Sequence, residues 1–211
     1  MTEQTRRRAG RPRTALLDKD RIARAALELV DETGDVNLPA LARRLGVQTS
    51  SLYHHVDGRV GVVELLREQV ASEIDATTLD DEPWDVALAG FCRSYRAVFA
   101  AHPRVVPLLT TSTVRSAAVI RAYDRMIVRL TDAGIPVTSA MQVLNAVDNF
   151  VIGSALDLAA PEVMWEIPEG VEAPALAAAL AAQPRDHRRA DDAFEDGLTR
   201  LLTSMAAEFG S

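Results

Sequence analysis

The sequence has a single cysteine and no long hydrophobic run. Cys92 cannot form an internal disulfide, and it has neither a second cysteine nor a nearby histidine at metal-ligand spacing. Asp, Arg or Pro interrupts every apolar stretch before the roughly 18 residues of a membrane span, and no apolar run follows the arginine-rich first residues. We therefore expect a cytoplasmic protein without a signal peptide, a membrane span, a metal or another cofactor.

Motifs for catalysis and patterns for β-strands are also missing. The sequence has no Gly-x-Ser-x-Gly, no His-Glu-x-x-His and no glycine-rich phosphate loop, and its four histidines lack metal spacing. Asp148 and Asp157 are not spaced as a general acid and base. A helical enzyme is therefore a disfavoured alternative. No alternating segments with hairpin turns occur, so the predicted fold class is all-α.

Charge is distributed unevenly along the chain. Residues 1–60 hold 11 Lys and Arg against 8 Asp and Glu, a balance of +3, whereas the remainder holds 12 against 22, a balance of −10. A basic N-terminal segment followed by an acidic remainder favours a protein that binds phosphates through its N-terminal part only. The overall net charge of −7 therefore does not exclude a nucleic-acid partner.

Apolar residues recur at helical spacing along most of the chain after residue 18. Residues 1–17 are rich in arginine and contain Gly10 and Pro12, so they predict a flexible basic arm. The predicted helices run from Asp18 or Asp20 to Gly34, from Asn37 to Gly46, and over 49–56, 59–76, 84–101, a short stretch from Pro103, 114–133, 136–160, 174–182 and 190–209.

The second and third predicted helices have the spacing of a helix-turn-helix. Two short helices that cross steeply need a small residue where they touch and a glycine where the chain turns, and Ala42 and Gly46 supply both. Val47 and Leu52 would then hold the next helix to the core. On spacing alone, a chance helical hairpin remains the alternative.

The residues around this motif resemble the tetracycline-repressor family. LARRLGVQTSSLYHHVDGRVGVVELL is similar to the DNA-binding signature of that family, as are AALELVDETG, TDAGIP, AVDNFVIGSALDL and AFEDGLTRLL elsewhere in the chain. The resemblance implies a DNA-binding domain over 18–60 and an effector-binding and dimerisation domain over 61–211. It implies a repressor that binds a palindromic operator as a homodimer and is released by a small molecule. A DNA-binding activator or architectural regulator without a small ligand is the alternative.

In this family the third helix enters the major groove of double-stranded DNA. Tyr53, His55 and Arg59 match positions that contact the DNA backbone. The second helix departs from the pattern, because Leu38 and Pro39 stand where tetracycline-binding members carry a backbone-contacting threonine and a base-reading arginine. The operator is therefore expected to differ from theirs.

The chemistry of the other candidates also favours DNA. The hydroxyls that open the third helix can meet base edges or phosphates, and His54 faces outward if Leu52 and Val56 face inward. Residues 10–13 resemble short arginine motifs that lie in narrow minor grooves; a tail that binds any phosphate is the alternative. The candidate DNA-binding residues are Arg11, Arg13, Thr49, Ser50, Ser51, Tyr53, His54, His55 and Arg59.

Two apolar stripes near the C-terminus predict a dimer interface. In the family the last long helices of two subunits form a four-helix bundle, and an isologous dimer would place two recognition helices about one DNA turn apart. The alternative is that both stripes serve the core of a single chain. The stripes are Met141, Leu144, Val147, Val151 and Leu158, and Phe194, Leu198, Leu201, Leu202 and Met205.

The resemblance also implies an effector pocket within the fifth to eighth helices. Core packing is the favoured alternative for each apolar member, whereas polar groups on an apolar helix favour a pocket. Pro107 replaces the magnesium-binding histidine of tetracycline-binding members, and Thr110 and Asp157 alone would hold Mg²⁺ poorly, so magnesium-tetracycline is not the expected effector. The candidate effector residues are Ile74, Phe91, Tyr95, Pro107, Thr110, Met126, Met141, Asn145, Asp148 and Asn149.

Overall fold

The computed structural model describes residues 17–80, 83–184, 186 and 188–209, and all regular secondary structure in these residues is helical. This confirms the all-α prediction. None of the described helices is long and apolar enough to cross a membrane. The helices are α1 (Lys19–Thr33), α2 (Leu38–Leu45), α3 (Thr49–Leu52), α4 (Gly58–Glu73), a 3₁₀ helix (Ala76–Asp80), α5 (Trp84–Ala101), α6 (Val106–Thr110), α7 (Ala117–Asp132), α8 (Val137–Leu158), α9 (Pro174–Ala181) and α10 (Arg188–Phe209).

The first two helices begin and end where their capping residues predict. The Asp18 carboxylate accepts a hydrogen bond of 2.8 Å from a first-turn N–H of α1, and the Asn37 amide oxygen accepts one of 2.9 Å from α2. These bonds satisfy donors that a helix leaves unpaired at its start. Gly34 and Gly46 end the helices at φ of 78° and 70°, a conformation that favours glycine.

The predicted third helix over 49–56 is longer than the observed one. Regular α-helix stops at Leu52, whose carbonyl accepts hydrogen bonds from both the His55 and the Val56 N–H, at 2.9 and 3.0 Å. The chain therefore continues in tightened turns as far as Val56, as helix ends commonly do. The side chains after Leu52 consequently belong to a turn.

The fourth helix also ends before the predicted residue 76. Its last residue is Glu73, because Ile74 adopts an extended conformation with ψ of 127°. The Asp75 carboxylate then accepts a hydrogen bond of 3.0 Å from the Thr77 N–H, which starts the 3₁₀ helix. Polar side chains that bond to the local backbone compete with a helix in this way. The other predicted helices agree with the observed bounds to within a few residues.

Two hydrophobic cores hold the chain together. One lies among α1–α4, includes Ile22 and Leu66, and extends to α6 and the end of α5. The other lies among α5, α7, α8 and α10 and includes Leu144 and Leu198. Ile74, just after α4, packs against both cores. The last turn of α4 is therefore where the N-terminal helices meet the larger helical body.

The apolar stripes predicted to form a dimer interface mostly face into the second core. Helix α8 packs against α5 and α10 of the same chain, which leaves little of either stripe accessible. Met141 is an exception at 48% exposed. The stripe residues buried within the single chain are Leu144, Val147, Val151, Phe194, Leu198, Leu202 and Met205.

Candidate DNA-binding surface and ligand cavity

The short helix α3 is held in place by buried side chains at its end. Leu52 and Val56 are buried beneath it, and Ala42 is buried on α2, which contacts α3. Gly61 lets α4 approach this turn closely, because a Cβ at that position would lie 3.1 Å from the Val56 Cβ. The turn that follows α3 is therefore packed directly against α4.

Most of the side chains predicted to contact DNA lie on α3 and the turn that follows it. Tyr53 is 59% exposed although it is aromatic, so no core contact accounts for it. Large exposed aromatic groups are suited to contacts with a partner. Ser50, Tyr53 and His54 are exposed, whereas Thr49, Ser51 and His55 are half-buried.

Arg59 lies in the first turn of α4 and forms an exposed ion pair. Its Nη2 is 3.1 Å from Oδ1 of Asp35, and this hydrogen bond holds the pKa of the Asp35 carboxyl below its usual value. Exposed ion pairs contribute little to stability, so the Arg59 guanidinium can exchange the carboxylate for a phosphate. Arg11 and Arg13 of the predicted arm lie outside the described residues.

Leu38 and Pro39, where α2 departs from tetracycline-binding members, have local structural roles. Leu38 is half-buried and packs against the first core. Pro39 is exposed in the first turn of α2, where the N–H that proline lacks would have no helical partner.

A cavity of about 200 Å³ lies between α4, α5 and α7. One wall is aromatic: the ring centroids of Phe91 and Tyr95 are 5.9 Å apart, and those of Tyr95 and Phe99 are 4.6 Å apart in an edge-to-face arrangement. Three predicted effector residues, Ile74, Phe91 and Tyr95, are in the wall. The lining residues are Arg67, Val70, Ala71, Ile74, Ala76, Phe91, Tyr95, Phe99, Leu109, Val114, Ala118, Val119, Ala122 and Tyr123.

The structure does not bring the predicted residues of α6 and α7 to this cavity. Pro107 and Thr110 are exposed on α6, and the Thr110 hydroxyl donates a hydrogen bond of 2.9 Å to the carbonyl of Val106. Met126 is buried in the second core instead. These three predicted residues therefore do not line this cavity.

The predicted residues of α8 divide between two faces. Met141, Asn145 and Asn149, spaced four residues apart, lie on the exposed face and do not line the cavity. Asp148 is half-buried and accepts a hydrogen bond from the hydroxyl of Tyr123, which does line it. Burial raises the pKa of both Asp148 and Tyr123, and the Asp148 charge further raises that of Tyr123. The phenol therefore remains neutral at ordinary pH.

Arg67 is a lining residue that the sequence analysis missed. It is only 7% exposed, and its Nε donates to a carboxylate oxygen of Glu64 at 3.1 Å. Its Nη2 donates to the carbonyls of Leu109 and Ser112 and to the Ser112 hydroxyl, at 3.1, 3.2 and 2.6 Å. Arg67 lies at helical spacing between Val63 and Val70, which are buried on the apolar stripe of α4, and a charge in such a stripe indicates a buried, partnered group.

Further polar contacts join the N-terminal helices to the segment between α5 and α6. His102 Nδ1 is 2.8 Å from Oδ2 of Asp31 on α1, and His102 Nε2 is 3.4 Å from Oε2 of Glu73 on α4. Arg104 donates to the backbone carbonyls of Asp31 and Glu32. The end of α5, which continues from the aromatic wall of the cavity, is thus in direct contact with α1 and α4.

A larger depression of about 370 Å³ lies between residues 162–167, α9 and the start of α10. Its lining includes Trp165, which is exposed, and no residue of α4 or α5. It therefore has no direct connection to the DNA-binding helices, whereas the smaller cavity has one through α4.

Known proteins include relatives in sequence and in structure that align with most of this chain. The class A tetracycline repressor from transposon 1721 of Escherichia coli is 29% identical over 199 residues, covering 90% of this chain and 91% of that protein. A possible TetR family regulator from Streptomyces coelicolor has a TM-score of 0.75 at 26% identity, covering 90% and 99% of the two chains. The TetR family protein ActR of the same organism, solved with (S)-DNPA, has a TM-score of 0.70 at 25% identity, covering 93% and 100%.

The family comparison covers the body that contains the cavity. The tetracyclin repressor-like C-terminal domain model matches residues 77–209, which is well over half of the chain. These residues include the aromatic wall on α5 and its opposite wall on α7. The chain therefore belongs to the tetracycline-repressor family of transcriptional regulators.

Proposed function

We propose that the protein is a repressor that binds a palindromic operator as a homodimer and releases it when a small molecule enters the cavity between α4, α5 and α7. Helix α4 carries this proposal. Its first turn carries Arg59 and packs against the turn that follows α3, and its later turns form the cavity wall through Arg67 and Val70. A helix rises about 1.5 Å per residue, so Arg59 and Val70 are about 16 Å apart along one rigid element.

A ligand would act on DNA affinity through linkage. An effector that favours one position of α4 over another changes the spacing of the two recognition helices, and DNA binding changes effector affinity by the same factor. Couplings of this kind are typically about 1–3 kcal/mol, or roughly 5–150-fold in affinity. The complex of ActR with (S)-DNPA supports the view that this fold holds small ligands.

The outer face of α8 supports the homodimer. The exposed residues of α8 carry no charge over the 22 residues of the helix, which is unusual for a solvated surface. Gly153 lies on this face, and a Cβ there would meet no atom of the described residues within 4 Å. A glycine inside a helix lowers helix stability by about 1 kcal/mol relative to alanine. Close approach of a second copy of the chain would be a physical reason for glycine at position 153.

Selection of bound sequences from random DNA by the purified chain tests the proposed function. We expect a palindrome whose half-sites are centred about one DNA turn apart, because two recognition helices related by a two-fold axis read equivalent half-sites. Enrichment of a single asymmetric site, or of no sequence, would contradict the proposal.

Replacing Arg59 with alanine is expected to weaken binding to all DNA sequences by a similar factor. A phosphate contact carries no sequence information, so the palindrome recovered by selection should not change. Affinity for DNA falls as salt rises, and each lost phosphate contact makes the plot of log affinity against log salt less steep by about one. A dimer loses two contacts, so its slope should become less steep by about two. Fluorescence anisotropy at several salt concentrations measures both effects. Arg121→Ala, an exposed arginine on α7, is the matched control and should leave the slope unchanged.

Magnesium-tetracycline is not expected to bind tightly. Asp157 forms a two-pronged ion pair with Arg189 at 2.9 and 3.0 Å, and the Thr110 hydroxyl is bonded to a backbone carbonyl, so both predicted magnesium groups are already engaged. Calorimetric titration with tetracycline, with and without Mg²⁺, measures this directly. Tight binding that depends on the metal would show that the prediction is wrong.

A further inference from the structure

The cavity wall contains one charged side chain. Arg67 is that residue, and the other lining residues are apolar apart from the hydroxyls of Tyr95 and Tyr123. Burial is the main cause that raises the pKa of both phenols, so both stay neutral. The Tyr123 hydroxyl already donates to Asp148, which leaves the Tyr95 hydroxyl as the phenol donor in the wall. Both carboxylates nearby are already partnered: Glu64 pairs with Arg67 and accepts from the N–H of Arg115, and Asp148 accepts from the hydroxyl of Tyr123. The wall is therefore suited to an acceptor or an anion.

The guanidinium of Arg67 is incompletely bonded. Its four hydrogen bonds use Nε and Nη2, and Nη1 has no partner among the described residues. Nη1 is not one of the fully buried polar atoms without a partner among the described residues, so it keeps accessible surface, and a planar guanidinium binds carboxylates better than other side chains do. This feature is a reason for an anionic partner inside the cavity.

Size and shape restrict the rest of the ligand. About 200 Å³ is less than the 300–1,000 Å³ typical of pockets for drug-sized molecules, so one or two rings fit better than four. Tyr95 and Phe99 form an aromatic wall with their rings edge to face, and the small side chains Ala118 and Ala122 of α7 line the cavity as well. A planar aromatic ring is the shape that this space accepts.

We propose that the effector is a small aromatic carboxylate of one or two rings, whose carboxylate binds Nη1 of Arg67 and whose rings lie against Tyr95 and Phe99. The inference rests on the proposed function, because it names the ligand of the same cavity. Arg67 also ties α4 to Leu109 and Ser112, so a carboxylate at its guanidinium acts directly on the helix that leads to α3.

The test is calorimetric titration of the full-length chain with benzoate, salicylate, 1-naphthoate and 2-naphthoate, each compared with its neutral amide. At least one carboxylate should bind at least about tenfold more tightly than its amide, as expected for a charge-assisted pair. In Arg67→Met, which keeps most of the side-chain volume, that carboxylate should lose at least about tenfold in affinity while the amide stays unchanged.

Two further variants separate recognition from structure. Arg67→Lys keeps the positive charge but lacks the planar guanidinium, so it should also weaken binding of the carboxylate and leave binding of the amide unchanged. This variant replaces Arg67→Met in the test if Arg67→Met does not fold. Arg121→Met removes an exposed arginine of α7 and should change neither ligand. Failure of every carboxylate to bind, equal binding of acid and amide, or equal loss of both in the Arg67 variants would each overturn the proposal.

Operator binding without ligand, measured on the same preparations, distinguishes this inference from the proposed function. If the wild-type chain binds its operator but no carboxylate, the ligand class is wrong and the DNA-binding function stands. If it binds no operator, the proposed function fails whatever the cavity holds. Where a carboxylate binds, adding it should weaken operator binding roughly 5–150-fold.

Discussion

Replacing Phe194 with alanine is expected to lower the free energy of unfolding by about 3–5 kcal/mol, the range for deleting a fully buried aromatic ring. Phe194 is 2% exposed at the centre of the contact between α8 and α10. Its ring stacks on Phe150 with centroids 5.6 Å apart, and the guanidinium of Arg96 lies 4.5 Å from its centroid. The substitution would leave a cavity and a buried cation that has lost its aromatic partner.

Thermal unfolding at fixed protein concentration measures this effect, because the stability of the proposed dimer would depend on concentration. The midpoint should fall by about 6–20 °C for a chain of this size. Phe194→Leu fills part of the cavity but also loses the ring contacts, so it should cost less than Phe194→Ala. Phe209→Ala removes a half-buried ring from the last residue of the same helix and should have a smaller effect still. Equal effects of Phe194→Ala and Phe209→Ala would contradict the assigned core.

Replacing Gly153 with arginine is expected to separate the proposed dimer and to reduce operator affinity by about 10²–10⁴-fold, the usual loss when two linked contacts become independent. The single chain has room for the new side chain, since a Cβ at Gly153 meets no atom of the described residues within 4 Å. In a two-fold interface both copies carry the new side chain, so two added guanidinium groups oppose association by their size and charge.

Sedimentation equilibrium and operator titration of the same sample measure the two effects together. Val128→Arg is the matched control, because it adds the same side chain at an exposed position of α7, and it should remain a dimer with normal operator affinity. A Gly153→Arg protein that stays dimeric and binds operator normally would show that the outer face of α8 is not the interface.

The parts of the fold that depend on local sequence were predictable. Asn37 and Gly46 delimit α2 through backbone bonds within one turn, and Ala42 is buried as the helix-turn-helix spacing requires. The shorter α3 was not predictable, because the end of a helix depends on small differences between α and tighter turns near Leu52. Local sequence rules therefore predict the helices of the N-terminal domain but not the residue at which α3 ends.

The cavity was harder to predict because it depends on how helices rotate in the bundle. Helix α8 is apolar around most of its circumference, so its sequence does not indicate whether Leu144 or Met141 faces the core. The contact between His102 and Asp31 joins residues 71 positions apart, and neither residue signals the other in the sequence. Arg67, in contrast, was detectable as a charge in an apolar stripe.

The most direct test of the account is the affinity of the purified chain for its selected palindrome, compared at one salt concentration with the same DNA carrying one or both half-sites scrambled. A dimer that presents two recognition helices should bind the intact palindrome at least about 10³-fold more tightly than fully scrambled DNA, and scrambling one half-site should remove most of that preference. Equal affinity for all three DNAs would contradict the assignment of α3 as a sequence-reading helix in a two-fold repressor.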